Sequence, residues 1–194
     1  MMRTFSSLIA AAGLGLCLAA AGPQGDMKNF ARKPSAISPA SESHVEMLGE
    51  IIKIDYSAPS LRGRAFLDIV KKDPTWPVWR AGAQDATWLH TDTHLMIGAL
   101  AVPSGDYSLF ITGLEDGKWK LIINKQTGQW GLEYHRDRDL GRVDMTMSKP
   151  TAPIETLKWT VSGHESASGK TQMGSGKIEL AWGNFIGSIA FVAK

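Results

Sequence analysis

The segment from residue 79 to residue 87 carries side chains that are well suited to hold a ligand. Arg80 ends in a planar guanidinium that matches a carboxylate or a phosphate, Gln84 offers a donor and an acceptor, and Asp85 accepts hydrogen bonds. Trp79 and Trp130 add aromatic faces on which a ligand could stack. We therefore predict a groove for a carbohydrate or peptide ligand, formed by Arg64, Trp79, Arg80, Gln84, Asp85 and Trp130.

Two other interpretations use the same residues. In the first, the segment is a buried network with Trp79 in the core, Arg80 paired with Asp85 or Asp55, and a tight turn at residues 82–83. In the second, Asp55 and Asp85 form the acid/base pair of a hydrolase acting on saccharide or peptide. Sequence alone does not bring these two carboxylates together. We therefore favour binding over catalysis and assign no catalytic residue.

A second group of polar residues has the spacing of metal ligands. In an extended strand His90, Asp92 and His94 would point to one face, an arrangement that suits a transition metal. The alternative is that Thr91-Asp92-Thr93 is the tip of a hairpin, which would direct the two imidazoles apart. Because this Thr/Asp/Thr sequence suits a turn, we favour the hairpin and predict neither a metal nor a cofactor.

The sequence predicts that short strands position these residues. Apolar residues alternate with polar ones at period two, and turn signals such as Asp116-Gly117 separate the runs. This pattern predicts an all-β fold, a single antiparallel β-sandwich of jelly-roll-like form over residues 45–194. Residues 65–70 are the exception and suggest a helical turn. The glycine-rich stretch 162–177 is predicted to be a hairpin loop between two strands.

The first residues have the composition of an export signal. Residues 1–21 carry Arg3, an uncharged apolar run and three alanines, which predicts a signal peptide cut after Ala21. The apolar run is too short for a transmembrane anchor. A lipid anchor at Cys17 is disfavoured because Leu16 precedes it where a small residue is expected. Residues 22–44 are polar and contain proline and serine, so we predict a flexible leader.

Charge and cysteine content exclude several classes of function. The net charge is +2 and the chain has no long basic block, so we predict no nucleic-acid partner. The one cysteine lies in the predicted signal peptide, and cleavage would leave a protein without thiolate chemistry. We expect an exported protein, periplasmic or extracellular, that acts as a binding or interaction module of the cell envelope. A structural accessory of the envelope without a small ligand is the remaining alternative.

Five motifs occur in an order that resembles a known family. They are the Asp55-Tyr56-Ser57-Ala58-Pro59 segment, the Gly63-Arg64 pair, the segment from Trp79 to Thr87, the Pro103 to Phe110 segment and Gln129-Trp130-Gly131. This order is similar to a bacterial exported family catalogued as domain of unknown function 2911. The chain has Gln84-Asp85 where the family pattern has Asn-Glu. The resemblance implies a β-sandwich and implies no activity.

Overall fold

The computed structural model describes residues 35, 37–168 and 171–193, which form two facing antiparallel sheets and little helix. The first sheet pairs its six strands in the order β1 (Ala40–Met47), β2 (Glu50–Ser57), β3 (Thr87–Thr91), β6 (Gly105–Thr112), β7 (Lys120–Asn124) and β8 (Asp139–Asp144). The second sheet has the order β10 (Ile154–Ser168), β11 (Thr171–Gly183), β12 (Phe185–Ala193), β4 (Leu95–Ile97) and β5 (Leu100–Val102). Strand β9 (Thr146–Ser148) also pairs with β12. The predicted β-sandwich is confirmed.

Period-two alternation explains which face of each strand is buried. In β2 Ile52, Ile54 and Tyr56 point into the sandwich, whereas Lys53 and Asp55 between them lie on the outer face. The core between the sheets contains the large side chains Trp119, Trp159, Trp182 and Phe191. Burial of this apolar area is the main force that holds the two sheets together.

The helical exception is confirmed as α1 (Phe66–Val70), and a short 3-10 turn lies at Arg136–Arg138. Phe66 and Val70 are one helical turn apart and both are buried. None of the helices in the described ranges has the length and apolar character needed to cross a membrane.

Residues 162–168 and 171–177 of the glycine-rich stretch form paired strands, so the prediction of a loop over this stretch was wrong. Strands β10 and β11 pair across it, with Gly163 opposite Gly176. A Cβ atom on Gly163 would lie 2.1 Å from Met47 Cε, and one on Gly176 would lie 2.4 Å from Phe191 Cζ. These glycines are present because core side chains approach the ladder closely, and not because the chain turns.

The N-terminal boundary lies earlier than predicted from sequence. Strand β1 begins at Ala40 and pairs with β2 along its whole length, so residues 40–44 of the predicted leader belong to the first sheet. The predicted signal peptide at residues 1–21 and most of the predicted leader lie outside the described residues.

Candidate functional site

The Trp79–Thr87 segment connects the region after α1 to the start of β3 and folds into a tight loop. Ala81 and Gln84 have positive φ values of 52° and 63°, a conformation that costs non-glycine residues about 1–2 kcal/mol. The carbonyl of Ala81 accepts hydrogen bonds from Thr87 Oγ1 at 3.0 Å and from Trp159 Nε1 at 2.9 Å. Because Thr87 and Trp159 belong to different sheets, these contacts fix the loop to both layers.

Trp79 lies in the core and is 2% exposed. Its indole stacks on Trp182 with centroids 5.7 Å apart, and its backbone exchanges two 2.8 Å hydrogen bonds with Ile111. The face predicted for ligand stacking is therefore occupied by another core residue.

Arg80 forms a buried ion pair, as the network interpretation required, but its partner is Asp73. Nη1 donates to Asp73 Oδ2 at 2.5 Å, and the two side chains are 17% and 4% exposed. Burial lowers the pKa of Arg80, and the charge of Asp73 partly offsets that effect. Thr75 donates to the other carboxylate oxygen through its backbone N–H and its hydroxyl. Asp73 was missed in the sequence, where an Asp-Pro-Thr run signals only a turn.

The Gln129–Gly131 segment lies directly on this loop. The N–H of Gly131 donates to the Gln84 carbonyl at 3.0 Å, and Asp85 forms an antiparallel bridge with Trp130. Gly131 has no space for a side chain, since a Cβ there would lie 2.0 Å from Arg80 Cδ and 2.3 Å from the Gln84 carbonyl oxygen. Two motifs that are distant in sequence are therefore one structural unit.

Trp130 stands out on this unit because its side chain is 48% exposed while its backbone is held on both sides. The hydrogen bonds of Gly131 and Ala86 flank the bridge, so Asp85 and Trp130 are a non-hydrogen-bonded pair whose side chains share one face and lie close together. Gln129 points the other way and is buried against Ser108. The result is a fixed aromatic surface with a carboxylate beside it.

Arg64 and Asp55, the other residues singled out in the sequence, have partners elsewhere in the structure. Arg64 donates to the carbonyls of Leu61 and Ser60 beside α1. Asp55 forms an ion pair with Lys53 at 3.1 Å on the outer face of β2. Of the six predicted ligand-binding residues, the structure therefore places Gln84, Asp85 and Trp130 in one surface unit, with Arg80 beneath it.

The three candidate metal ligands of the disfavoured alternative do not come together at one point. Nδ1 of His90 lies 2.7 Å from Asp106 Oδ1, and Nε2 lies 3.0 Å from Asp92 Oδ1. His94 instead accepts a hydrogen bond from the Ser104 N–H at 3.4 Å. Within the ranges that the structure describes, no group of three or more His, Cys, Asp or Glu side chains is arranged to hold a metal ion.

The hairpin expected at Thr91-Asp92-Thr93 is also wrong. Strand β3 ends at Thr91 in the first sheet, and β4 begins at Leu95 in the second sheet, so these residues cross from one layer to the other. Asp92 Oδ2 accepts the backbone N–H of Ile51, and this contact ties the crossover to β2. The polar residues that suggested a turn tip therefore stabilise a connection between sheets.

A second apolar cluster fastens the chain around Trp130 to the outer face of the first sheet. It consists of Val78, Ala86, Phe110 and Ile122, with Tyr134 packed against it at 5.0 Å from the ring of Phe110. The sequence did not reveal this cluster because Phe110 and Ile122 occupy positions where the alternation of their strands predicts outward-facing polar residues.

The alkaline limit of stability is expected to depend on Tyr134. Burial and the hydrogen bond that its hydroxyl donates to Asp139 raise the pKa of Tyr134 to about 12, although Arg142 opposes this. The folded protein keeps a proton on Tyr134 that the unfolded chain loses near pH 10. The contribution of Tyr134 to the free energy of unfolding is therefore complete below pH 10 and is lost between pH 10 and 12. Tyr134→Phe should therefore weaken the fall of unfolding free energy between pH 10 and about pH 12, measured by urea denaturation.

Tyr56 and Tyr107, whose pKa values burial also raises, are present in both proteins, and the comparison cancels their effect. Equal pH slopes for the wild type and Tyr134→Phe would contradict the assignment.

Comparison with known proteins gives one family. A family model described as "Protein of unknown function (DUF2911)" matches residues 38–191, which is most of the chain and includes every strand of both sheets in whole or in part. Neither a curated protein nor a solved structure matches the chain.

Proposed function

Because the chain belongs to the DUF2911 family, whose description assigns no function, we propose from the site geometry that it is an exported module that binds a saccharide on Trp130. The sugar ring stacks on the indole, and a ring hydroxyl donates to the carboxylate of Asp85. Export, to the periplasm or the cell exterior, is supported by the sequence pattern of residues 1–21. Residue Leu16 disfavours a lipid-anchored form.

The observation that carries the proposal is the combination of exposure and rigidity at Trp130. A large aromatic side chain that is 48% exposed leaves apolar surface in contact with water. Its backbone is already fixed by the Gln84 and Asp85 contacts, so little conformational entropy remains to be lost when a ligand binds. Tryptophan residues of this kind are frequent binding hot spots.

The neighbouring carboxylate favours a saccharide over an apolar partner. An ionised carboxylate only accepts hydrogen bonds, and sugar hydroxyls are donors. A pyranose ring offers an apolar face for the indole and hydroxyls at its edge for Asp85, which matches a flat aromatic surface with one polar side. A peptide could use the same aromatic face, and it is therefore the competing ligand in the test below.

Trp130→Ala is expected to weaken saccharide binding by at least about tenfold, since loss of an aromatic hot spot costs more than about 1.4 kcal/mol. Binding would be measured by calorimetry with cellohexaose, xylohexaose and chitotetraose, and with unrelated oligopeptides as the comparison. Trp130→Phe should keep part of the affinity because an aromatic face remains.

The matched control is Met173→Ala, which truncates another exposed apolar side chain and should bind as the wild type does. If none of the three saccharides binds, or if Trp130→Ala binds them unchanged, the saccharide proposal is wrong. Binding of oligopeptides alone would assign the surface to a peptide.

The same mixtures test the hydrolase alternative. Shortened saccharides that appear with the wild type and are absent with Asp85→Asn would make Asp85 part of a catalytic pair. Intact saccharides with both proteins would leave binding as the function.

A further inference from the structure

A small cavity of about 210 Å³ lies where α1 meets the turn between β11 and β12. Most of its lining is apolar, and the side chains that matter here are Leu61, Arg64, Phe66, Leu67, Pro153 and Phe185. Trp130 and Asp85 do not line it, so this is a different site from the proposed saccharide surface.

The floor of the cavity is part of the rigid core. Phe66 is buried and packs against Trp119 and Trp182, with centroid distances of 5.5 Å to each, and against Phe185 at 5.2 Å. Leu67 is half-buried against the same cluster. Close packing on all of these sides keeps the cavity open without a ligand, as in preformed binding pockets.

Arg64 supplies a fixed positive charge to this cavity. Its Nε donates to the Leu61 carbonyl at 2.9 Å and its Nη2 to the Ser60 carbonyl at 3.1 Å. A guanidinium has five N–H donors. These two contacts leave three of them available, two on Nη1 and one on Nη2. In the part of the chain that the structure describes, no carboxylate lies within ion-pair distance of Arg64, in contrast to Arg80 and Arg142.

The surroundings favour an anionic ligand. The described cavity lining contains Arg64 as a cation and no acidic residue. The nearby carboxylate of Glu155 is already engaged, because its Oε1 accepts the backbone N–H of Arg62 at 2.7 Å. An anion that reaches Arg64 therefore meets an oriented guanidinium edge and no repulsive neighbour in the lining.

We propose that this cavity binds a monocarboxylate with a short apolar chain. The carboxylate lies on the free Nη1–Nη2 edge of Arg64, and the chain enters the cavity between Leu61, Phe66 and Phe185. The preorganised guanidinium supplies the selectivity for the acid, and the apolar walls supply the selectivity for the chain. A free fatty acid and the apolar C-terminus of a peptide share this chemistry.

Sodium octanoate is the probe, titrated calorimetrically into the full protein. Arg64→Gln is expected to reduce its affinity by at least about tenfold, because the carboxylate loses its charge-assisted hydrogen bonds to the guanidinium. Octan-1-ol, which has the chain without the charge, and acetate, which has the charge without the chain, should each bind at least about tenfold more weakly than octanoate.

The matched control is Arg62→Gln. Arg62 is two residues away on the same loop and does not line the cavity, and among the described residues its side chain makes a single hydrogen bond, to the Ile37 carbonyl at 3.5 Å. This variant should bind octanoate as the wild type does. Unchanged octanoate affinity in Arg64→Gln, equal affinity for octan-1-ol, or no binding of octanoate to the wild type would each overturn the proposal.

A second measurement keeps the test valid if Arg64→Gln does not fold. Octanoate added to the wild-type protein should shift the amide NMR signals of Gly183 and Asn184, which line the cavity. Shifts confined to Trp130 and its neighbours would contradict the assignment. A peptide ending in Leu-Leu-COO⁻, compared with its C-terminal amide, distinguishes the two ligand sources: tighter binding than octanoate indicates a peptide terminus, and weaker binding a fatty acid.

Discussion

Replacing Asp73 by alanine is expected to lower the free energy of unfolding by about 3–5 kcal/mol, because it leaves the buried charge of Arg80 without its partner. The carboxylate is 4% exposed and accepts from Arg80 on one oxygen and from Thr75 on the other. Burial lowers the pKa of Arg80, because removal from water disfavours the charged guanidinium. Equilibrium denaturation in urea measures the loss directly.

Glu115→Ala provides the matched control. Glu115 pairs with Lys71 at 2.5 Å, the same distance as the Asp73 pair, but its side chain is 53% exposed. An exposed pair contributes about 1 kcal/mol at most because water and salt screen it. A loss from Asp73→Ala no greater than that from Glu115→Ala would show that the pair does not stabilise the loop.

The double variant Asp73→Ala/Arg80→Ala separates the pair from its surroundings. It is expected to lose less stability than the sum of the two single variants, because no uncompensated charge remains. Additive losses would mean that each residue acts through other contacts, such as those of Asp73 with Thr75.

The fold itself could largely be predicted from the sequence. Alternation in segments such as Ile52-Lys53-Ile54 directly reflects one buried and one outer face, so it gave both the class and the inner residues. It failed where glycine entered a strand. Gly163 and Gly176 look like loop residues locally, and only the positions of Met47 and Phe191 explain them.

The candidate site was predicted in composition but not in arrangement. Residue types identified Trp79, Arg80 and Trp130, yet which of them lies at the surface depends on pairing between segments. Asp73, the partner of Arg80, precedes a proline, and no local sequence pattern indicates that these two residues pair. Contacts of this kind are set by tertiary packing, which local propensity does not encode.

Gly131→Ala is expected to release Trp130 from its fixed position and to lower the free energy of unfolding by about 2–3 kcal/mol. The new Cβ would lie 2.0 Å from Arg80 Cδ and 2.3 Å from the Gln84 carbonyl oxygen, and the latter is backbone that does not move freely. Separation of the two segments would break the 3.0 Å hydrogen bond from the residue 131 N–H to Gln84. Hydrogen exchange at residues 129–133 should become faster, and saccharide affinity should fall with it.

Gly117→Ala is the control that separates steric clash from backbone strain. Gly117 has a φ of 61° with no atom near its added Cβ, so alanine costs only about 1–2 kcal/mol of left-handed strain and leaves Trp130 untouched. If Gly131→Ala leaves the residue 131 amide protected and saccharide binding unchanged, the Arg80 side chain has moved aside and the expected displacement of Trp130 is wrong. Faster exchange at residues 129–133 together with lost saccharide binding, in Gly131→Ala but not in Gly117→Ala, would support the structural coupling. The Trp79–Thr87 loop would then hold Trp130 in the position that the ligand needs.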